Sequence, residues 1–346
     1  MDVRAVLLRL VLGSALGVAL IGAACWVGRI GASSAMIFWA KGREGFALNL
    51  LDVDTGLLVR VTQSPPYRPF SPPQLTRDAQ RALFEVDRDG ERALFLLDAR
   101  GRLLYEQPRD IAIRQPVWSP DGSAVAYWAT TDGFWRFYVM DRDGEQQRIL
   151  SDTVGLVPYT YPLWSPDGSH ILFRIWVAER GSAIFLLDAV TGNTRNISES
   201  LSAAGDLVWS PDGSALVFRS ERERNGEIYV LDVLNDETRN LTQNPAIDFQ
   251  PDWSPDGSEI VFVSNREGQG ELFRMRSDGA GVIRITHGGG WSPDWSPRGD
   301  LIAFISRRSG SETLYVVSPE GGEPRAVARI SPEMVFRGWL GEPPRS

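Results

Sequence analysis

The chain of 346 residues contains one cysteine, Cys25, and two histidines, His170 and His287. A lone cysteine excludes an intrachain disulfide and a cysteine-based zinc cluster. Two histidines far apart in the repeat scheme below leave little material for a histidine metal site or for histidine acid–base work. Basic residues are also short in number. The 36 Lys and Arg against 44 Asp and Glu give a formal charge of -8, and no basic run offsets it. That balance argues against nucleic acid as a partner, because phosphate binding needs a basic surface.

What the chain does have is 34 Gly, 22 Pro and 12 Trp within a 43% hydrophobic composition. Such a turn-rich, aromatic-rich mix suits many short strands joined by tight hairpins, so the class expected is all-β. Leu10 to Gly28 form nineteen positions without a charge, flanked by Arg4 and Arg9 before and by Arg29, Lys41 and Arg43 after. That length can span a bilayer, and it exceeds the usual apolar core of a signal peptide. The reading is a cytoplasmic terminus at 1–9, a transmembrane anchor at 10–28 and an extracytoplasmic remainder. Cleavage after Ser34, or lipid attachment at Cys25, are the alternatives, and both leave the rest outside the cytoplasm.

An internal repeat dominates residues 35–340. Trp118-Ser119-Pro120-Asp121-Gly122 recurs at Trp164, Trp209 and Trp253, and Trp295-Ser296-Pro297-Arg298-Gly299 is a fifth copy. The steps are 46, 45, 44 and 42 residues, the length of a four-stranded propeller blade. An apolar triplet ending in an aromatic follows each Trp: Val125-Ala126-Tyr127, Ile171-Leu172-Phe173, Leu216-Val217-Phe218, Ile260-Val261-Phe262 and Ile302-Ala303-Phe304. These predict second strands, and third and fourth strands follow at regular offsets. A degenerate copy begins at Leu75. Strands two to four of one further unit lie in Ala35 to Thr62, with Trp339 in the place of its missing first strand. The fold expected is a seven-bladed β-propeller in which a C-terminal strand around Met334 to Leu340 completes the N-terminal blade, leaving a tail at 341–346. Six blades with irregular ends is the alternative.

The repeated word has a structural explanation. Pro fixes φ at the first turn position, Asp bonds nearby backbone and Gly accepts positive φ, so Ser-Pro-Asp-Gly makes the hairpin between strands one and two. Trp118, Trp164, Trp209, Trp253 and Trp295 supply packing surface between blades. Asp121, Asp167, Asp212 and Asp256, with Gly122, Gly168, Gly213, Gly257 and Gly299, belong to the turns. No catalytic role is assigned to them.

The stretch from Asn240-Leu241-Thr242-Gln243-Asn244-Pro245 through Asp252-Trp253-Ser254-Pro255-Asp256-Gly257 to Phe262-Val263-Ser264-Asn265-Arg266 resembles the TolB-like propellers, a family of WD40-like repeats. The resemblance runs from about Ala35 to Leu340 and implies architecture, not a reaction. Such propellers occur in periplasmic assembly factors, as regulatory domains of serine peptidases and in polysaccharide lyases. The separate α/β domain of TolB has no counterpart between the apolar segment and the first strand, so the chain is not expected to be TolB itself. The peptidases append an α/β-hydrolase domain, for which no Gly-x-Ser-x-Gly nucleophile elbow is present.

In a propeller, the connections from strand four to the next strand one reach the channel mouth, where loops carry binding residues. Here they hold Tyr67, Arg68 and Phe70; Asp110 and Arg114; Tyr159 and Tyr161; Asp206; Asp248 and Phe249; and Trp291. Aromatics mixed with Arg and Asp suit a peptide segment or a sugar. Arg222, Arg266 and Arg308, between strands two and three, are read as solvated loop charge. Asp87-Arg88-Asp89-Gly90 and Asp141-Arg142-Asp143-Gly144 are read as hairpins between strands three and four, not as calcium loops.

The functional expectation is a membrane-anchored, non-catalytic module that binds a protein or peptide at the mouth, without a cofactor or metal. The alternative is a sugar-binding or lyase-like protein using Asp206 and Asp248.

Overall fold

A computed structural model describes residues 35–339 apart from 43–44, 55–57, 61–67, 70–73, 77–79, 99–102, 132, 152–156, 159–161, 178–180, 202–203, 224, 331–333. Among the described residues every regular element is a β-strand, and none is a helix long and apolar enough to cross a membrane. The apolar segment at 10–28 lies outside the described residues.

The strands form antiparallel sheets, and all but the one that joins the chain ends are meanders in chain order. The sheet of Ala204–Trp209, Ala215–Ser220, Glu227–Asp232 and Glu237–Asn240 is typical, and the next runs Asp248–Trp253, Glu259–Ser264, Glu271–Arg276 and Ile283–Arg284. Two sheets have a first strand in two pieces, Arg68–Pro69 with Gln74–Leu75 and Val157–Pro158 with Leu163–Trp164. One sheet joins the two ends of the chain: Leu58–Arg60, Gly45–Asp52 and Ala35–Gly42 are followed by Met334–Trp339, with Met36 opposite Trp339.

Alternation along each second strand turns an aromatic onto one directly opposite on strand three. Phe218 faces Tyr229, Phe262 faces Phe273 and Phe304 faces Tyr315, with ring centroids 5.8, 6.0 and 5.7 Å apart. Burying each Phe contributes about 1.5–3 kcal/mol. The apolar clusters form between sheets. One joins Leu172 and Leu186 to Leu216 and Phe218, the next joins Val217 and Ile228 to Ile260 and Phe262, and another joins Val261 and Leu272 to Ile302 and Phe304. The same arrangement places Leu51 and Val53 of the N-terminal sheet against Ala303, Leu314 and Val316 of the Trp291 sheet.

First strands of successive sheets pack on one another: Ala204–Trp209 against Asp248–Trp253, and Asp248–Trp253 against Trp291–Trp295. They are therefore the inner strands of the propeller. The Asp141–Gly144 turn follows a third strand as expected, but Asp89 and Gly90 join Arg81–Arg88 to Glu91–Asp98, the second and third strands of their sheet. The expectation for that turn is corrected by one hairpin. The long strands at Arg81–Arg88 and Glu91–Asp98 leave only two residues between them, so the turn sits on the mouth side.

Candidate functional site: the channel mouth

The repeated turn is built by one hydrogen-bond pattern. In the Trp253 copy, Ser254 Oγ donates to Asp256 Oδ1 at 2.6 Å, Ser258 N donates to the same oxygen at 3.0 Å, and Ser254 Oγ accepts from Glu259 N. Ser119, Ser165 and Ser210 repeat it with Asp121, Asp167 and Asp212. The glycines Gly122, Gly168, Gly213, Gly257 and Gly299 take φ between 68° and 74°. Arg298 replaces the Asp of the fifth copy, and Ser296 Oγ donates instead to Asp300. Trp118, Trp164, Trp209, Trp253 and Trp295 are all buried, and the indoles of Trp118 and Trp209 donate to Gln74 O and Leu163 O of the preceding sheet. These residues tie turn to strand and blade to blade.

The inner strands carry a second repeat, three residues before Trp118, Trp209, Trp253 and Trp295. Gln115, Asp206, Gln250 and Ser292 all have positive φ, 54°, 50°, 52° and 51°. Each falls where the pairing with strand two shifts register, a β-bulge that turns one extra residue out of the ladder. Non-glycine residues held in this region mark sites where the surrounding structure enforces the conformation. The bulges bond from blade to blade: Gln250 N donates to Asp206 Oδ2 at 3.1 Å, and Ser292 N donates to Gln250 Oε1 at 2.8 Å. Asp206, Gln250 and Ser292 thus line the mouth in one hydrogen-bonded row. Gln115 is buried, and its Oε1 has no hydrogen-bond partner among the described residues.

Directly before the bulge come Arg114, Gly205, Phe249 and Trp291. The Arg114 guanidinium lies over the Trp135 ring at 4.8 Å, and Arg307 lies over Trp291 at 5.8 Å. Phe249 packs partly into the cluster between its own sheet and the next. Of the mouth residues expected from sequence, the structure brings Asp206, Phe249 and Trp291 together on adjoining inner strands. Arg114 occupies the equivalent position of another sheet. Arg68 lies on a strand, its backbone opposite Asp87, but its side chain is outside the described residues, as are Tyr67, Tyr159 and Tyr161.

Asp248 requires a correction. Its side chain has 0% exposure and is paired with Arg266 Nη2 at 3.1 Å, while Asn244 Nδ2 donates to it at 2.7 Å. A carboxylate enclosed in this way braces the mouth loop and is not presented to a ligand. Its partner also departs from expectation. Arg266 lies over the Phe262 and Phe273 rings at 5.4 and 4.8 Å, and its Nε donates to Ser264. Arg222 and Arg308 repeat this on Phe218 with Tyr229 and on Phe304 with Tyr315, and their Nη2 atoms donate to Ser200 O and Gly289 O of the incoming loops. Arg266 and Arg308 are half-buried clamps on the mouth loops rather than solvated charge, whereas Arg222 holds its loop while staying exposed, as expected of loop charge. The word Phe-x-Ser-x-Arg at Phe218, Phe262 and Phe304 is the sequence signal for them, and a fixed offset from Trp is the signal for the bulges.

Glu271 completes the support. Burial alone would raise its pKa, but donors at Gly289 N, Thr286 Oγ1, Gln269 and Gly288 N outweigh that and hold it below the ordinary value. On the same side, Glu223, Asn225, Glu227, Asn240, Gln243, Asn244 and Pro245 line a polar cleft of about 580 Å³. His170 sits beside a Ser-Pro-Asp-Gly turn and His287 on a mouth connection, so the two do not meet. Among the described residues no group of three or more His, Cys, Asp or Glu could hold a metal ion.

Comparison with known proteins places this architecture. Residues 134–332 match the model of the TolB beta propeller domain. The chain belongs to the TolB β-propeller family. It is a TolB-like propeller and not TolB itself: TolB from Acinetobacter baumannii is 20% identical, with a TM-score of 0.50 over 88% of this chain and 82% of that one. An oligogalacturonate lyase in complex with manganese gives a TM-score of 0.63 at 18% identity, covering 83% of this chain and 86% of its own. A puromycin hydrolase gives 0.61 at 15% identity over 86% of this chain, which spans 53% of that protein. These likenesses show the fold. No curated protein sequence matches the TolB-like chain significantly.

Proposed function

We propose that this TolB-like chain is a non-catalytic recognition module, a seven-bladed ring held outside the cytoplasm by the apolar segment at 10–28, which binds a protein or peptide at its channel mouth. The row of bulged residues Asp206, Gln250 and Ser292 carries the reading. Three equivalent positions of successive blades expose polar side chains and constrained backbone on one wall, with Phe249 and Trp291 beside them. Polar groups in fixed positions next to aromatic surface suit an extended peptide, whose amides need donors and acceptors along its length. The Arg222, Arg266 and Arg308 clamps keep that wall rigid, which lowers the ordering cost of binding.

Closure of the ring is supported by a shared device. Arg195 Nη2 donates to Val233 O of the next sheet at 2.7 Å, and Arg325 Nη2 donates to Val53 O of the N-terminal sheet at 2.9 Å. The N-terminal sheet stands to the Trp291 sheet as each blade stands to the one before it.

The test is site-specific photocrosslinking in the full chain, reconstituted in its membrane. A photoreactive residue at Gln250 or Ser292 captures a discrete protein band, and the same residue at Ser258 in a turn does not. Capture at Ser258 alone, or at none of the three, would sink the proposal.

A further inference from the structure

The propeller has two faces, and the topology assigns the chain's N-terminal side to one of them. Strand Ala35–Gly42 begins opposite Asp52, at the end where the third strand enters its outer hairpin, and finishes at the tight Gly42/Gly45 hairpin. Ala35 therefore lies on the face of the Ser-Pro-Asp-Gly turns, and Gly42 lies on the mouth face. The turns and outer hairpins share that first face, because Ala189 N and Val233 N donate to Ser169 O and Ser214 O of the adjacent turns.

Residues 29–34 separate the apolar segment from Ala35. Six residues reach about 20 Å at full extension. The eight-residue strand Ala35–Gly42 then carries the chain about 26 Å further, to the mouth. On the anchored reading, a tether no longer than this holds Ala35, and with it the turn face, near the bilayer.

The same face bears the two most exposed large aliphatic side chains among the described residues, Val190 at 82% and Leu234 at 83%. They occupy equivalent tips of the outer hairpins in consecutive sheets. Their backbones are fixed: Val190 N and Thr191 N donate to Asp188, and Leu234 N and Asn235 N donate to Asp232. A rigid turn that projects an aliphatic residue into water gains only when something apolar covers it. In the proposed ring, both tips lie three blades from the tethered one, so they would steady the side that the tether leaves free.

Resting on the anchored reading above, we propose that the Ser-Pro-Asp-Gly face is a membrane seat which contacts neutral lipid through Val190 and Leu234, so that the mouth opens away from the bilayer. The carboxylates of the four turns select the lipid. Acidic groups near an anionic leaflet are repelled.

The experiment uses the full chain with Cys25→Ser and one new cysteine at Val190, Leu234 or Ser292, labelled with a fluorophore and reconstituted into phosphatidylcholine vesicles holding a brominated quenching lipid. Flotation with the vesicles tests the anchor. A chain that does not float overturns the anchored reading, and the seat falls with it. When it floats, quenching severalfold stronger at 190 and 234 than at 292 supports the seat. Equal quenching, or stronger quenching at 292, overturns it while the anchor stands. With the label at Asn235 in a Val190→Ser, Leu234→Ser chain, loss of most quenching supports the aliphatic contact and unchanged quenching overturns it. Replacing half of the lipid with phosphatidylglycerol weakens quenching at 234; no change overturns the preference for neutral lipid.

Discussion

Arg325 Nη2 donates to the carbonyl of Val53, 272 residues earlier, at 2.9 Å. Val53 follows Asp52 as Val233 follows Asp232, and in both turns the Asp side chain accepts from the backbone two residues on. The contact between the Trp291 sheet and the N-terminal sheet is thus chemically the same as the contact of Arg195 with Val233 between two internal blades. Losing one such partly exposed bond costs about 1 kcal/mol, or roughly 2 °C in a domain of this size. Arg325→Ala is expected to lower the melting temperature as much as Arg195→Ala does, measured by circular dichroism. In an open array the terminal contact would matter less, and Arg325→Ala would melt with the parent chain.

The Arg266 clamp makes a larger claim on stability. Removing it leaves the Asp248 carboxylate fully buried without its cation, and breaking such a pair from one side costs about 3–5 kcal/mol. Arg266→Met is expected to lower the urea midpoint strongly. Asp248→Asn added to Arg266→Met recovers part of the loss, because the neutral amide no longer needs a counter-charge. An Arg266→Met chain with an unchanged midpoint would show that the pair contributes nothing.

The blade pattern was legible because it rests on local chemistry: a turn that needs Pro, Asp and Gly in order, and a Trp and an aromatic triplet set at strand spacing around it. Even the half-blade at Ala35 could be read, since its strands keep the same offsets. The mouth was less legible. Asp206 and Asp248 both precede a Trp on an inner strand, but at different offsets, Asp206 three residues before Trp209 and Asp248 five before Trp253, and the offset has meaning only once the bulge is known. Asp206 falls on the β-bulge between Gly205 and Val208 and faces the mouth, whereas Asp248 precedes the bulge between Phe249 and Asp252, stays in the ladder opposite Ser264 and is enclosed by Arg266 from a loop 18 residues on. Gln115, Gln250 and Ser292 were missed since Gln and Ser carry no charge or ring to draw notice, although Pro follows each of the three.

The turns also set a pH dependence. Hydrogen bonds from Ser210 and Ser214 hold Asp212 below its ordinary value of 3.8, and Ser254 and Ser258 do the same for Asp256. A folded pKa below the unfolded one means stability that is present above about pH 4 and lost as pH falls through the folded value. Asp212→Asn with Asp256→Asn is therefore expected to have a lower urea midpoint than the parent at pH 7. The difference shrinks by pH 3, where the parent's carboxylates are themselves protonating. A gap of constant size between the two pH values would show that the charge on these turns is irrelevant to folding.

Gln115 separates binding from folding. Its Oε1 is buried without a partner, so the side chain carries a desolvation cost that nothing within the described residues offsets. Gln115→Met keeps the length and the unbranched Cβ that a φ of 54° requires, and it removes the polar atoms. Replacing a partnerless polar group by an apolar one of similar shape is neutral or stabilising. The variant is expected to melt at or above the parent temperature. Because Oε1 is enclosed, the partner does not reach it, and a photoreactive residue at Gln250 captures the same product in the variant. A variant that melts well below the parent would mean that Gln115 serves the fold; one that melts normally but loses the crosslink would show that binding opens the strand around Gln115.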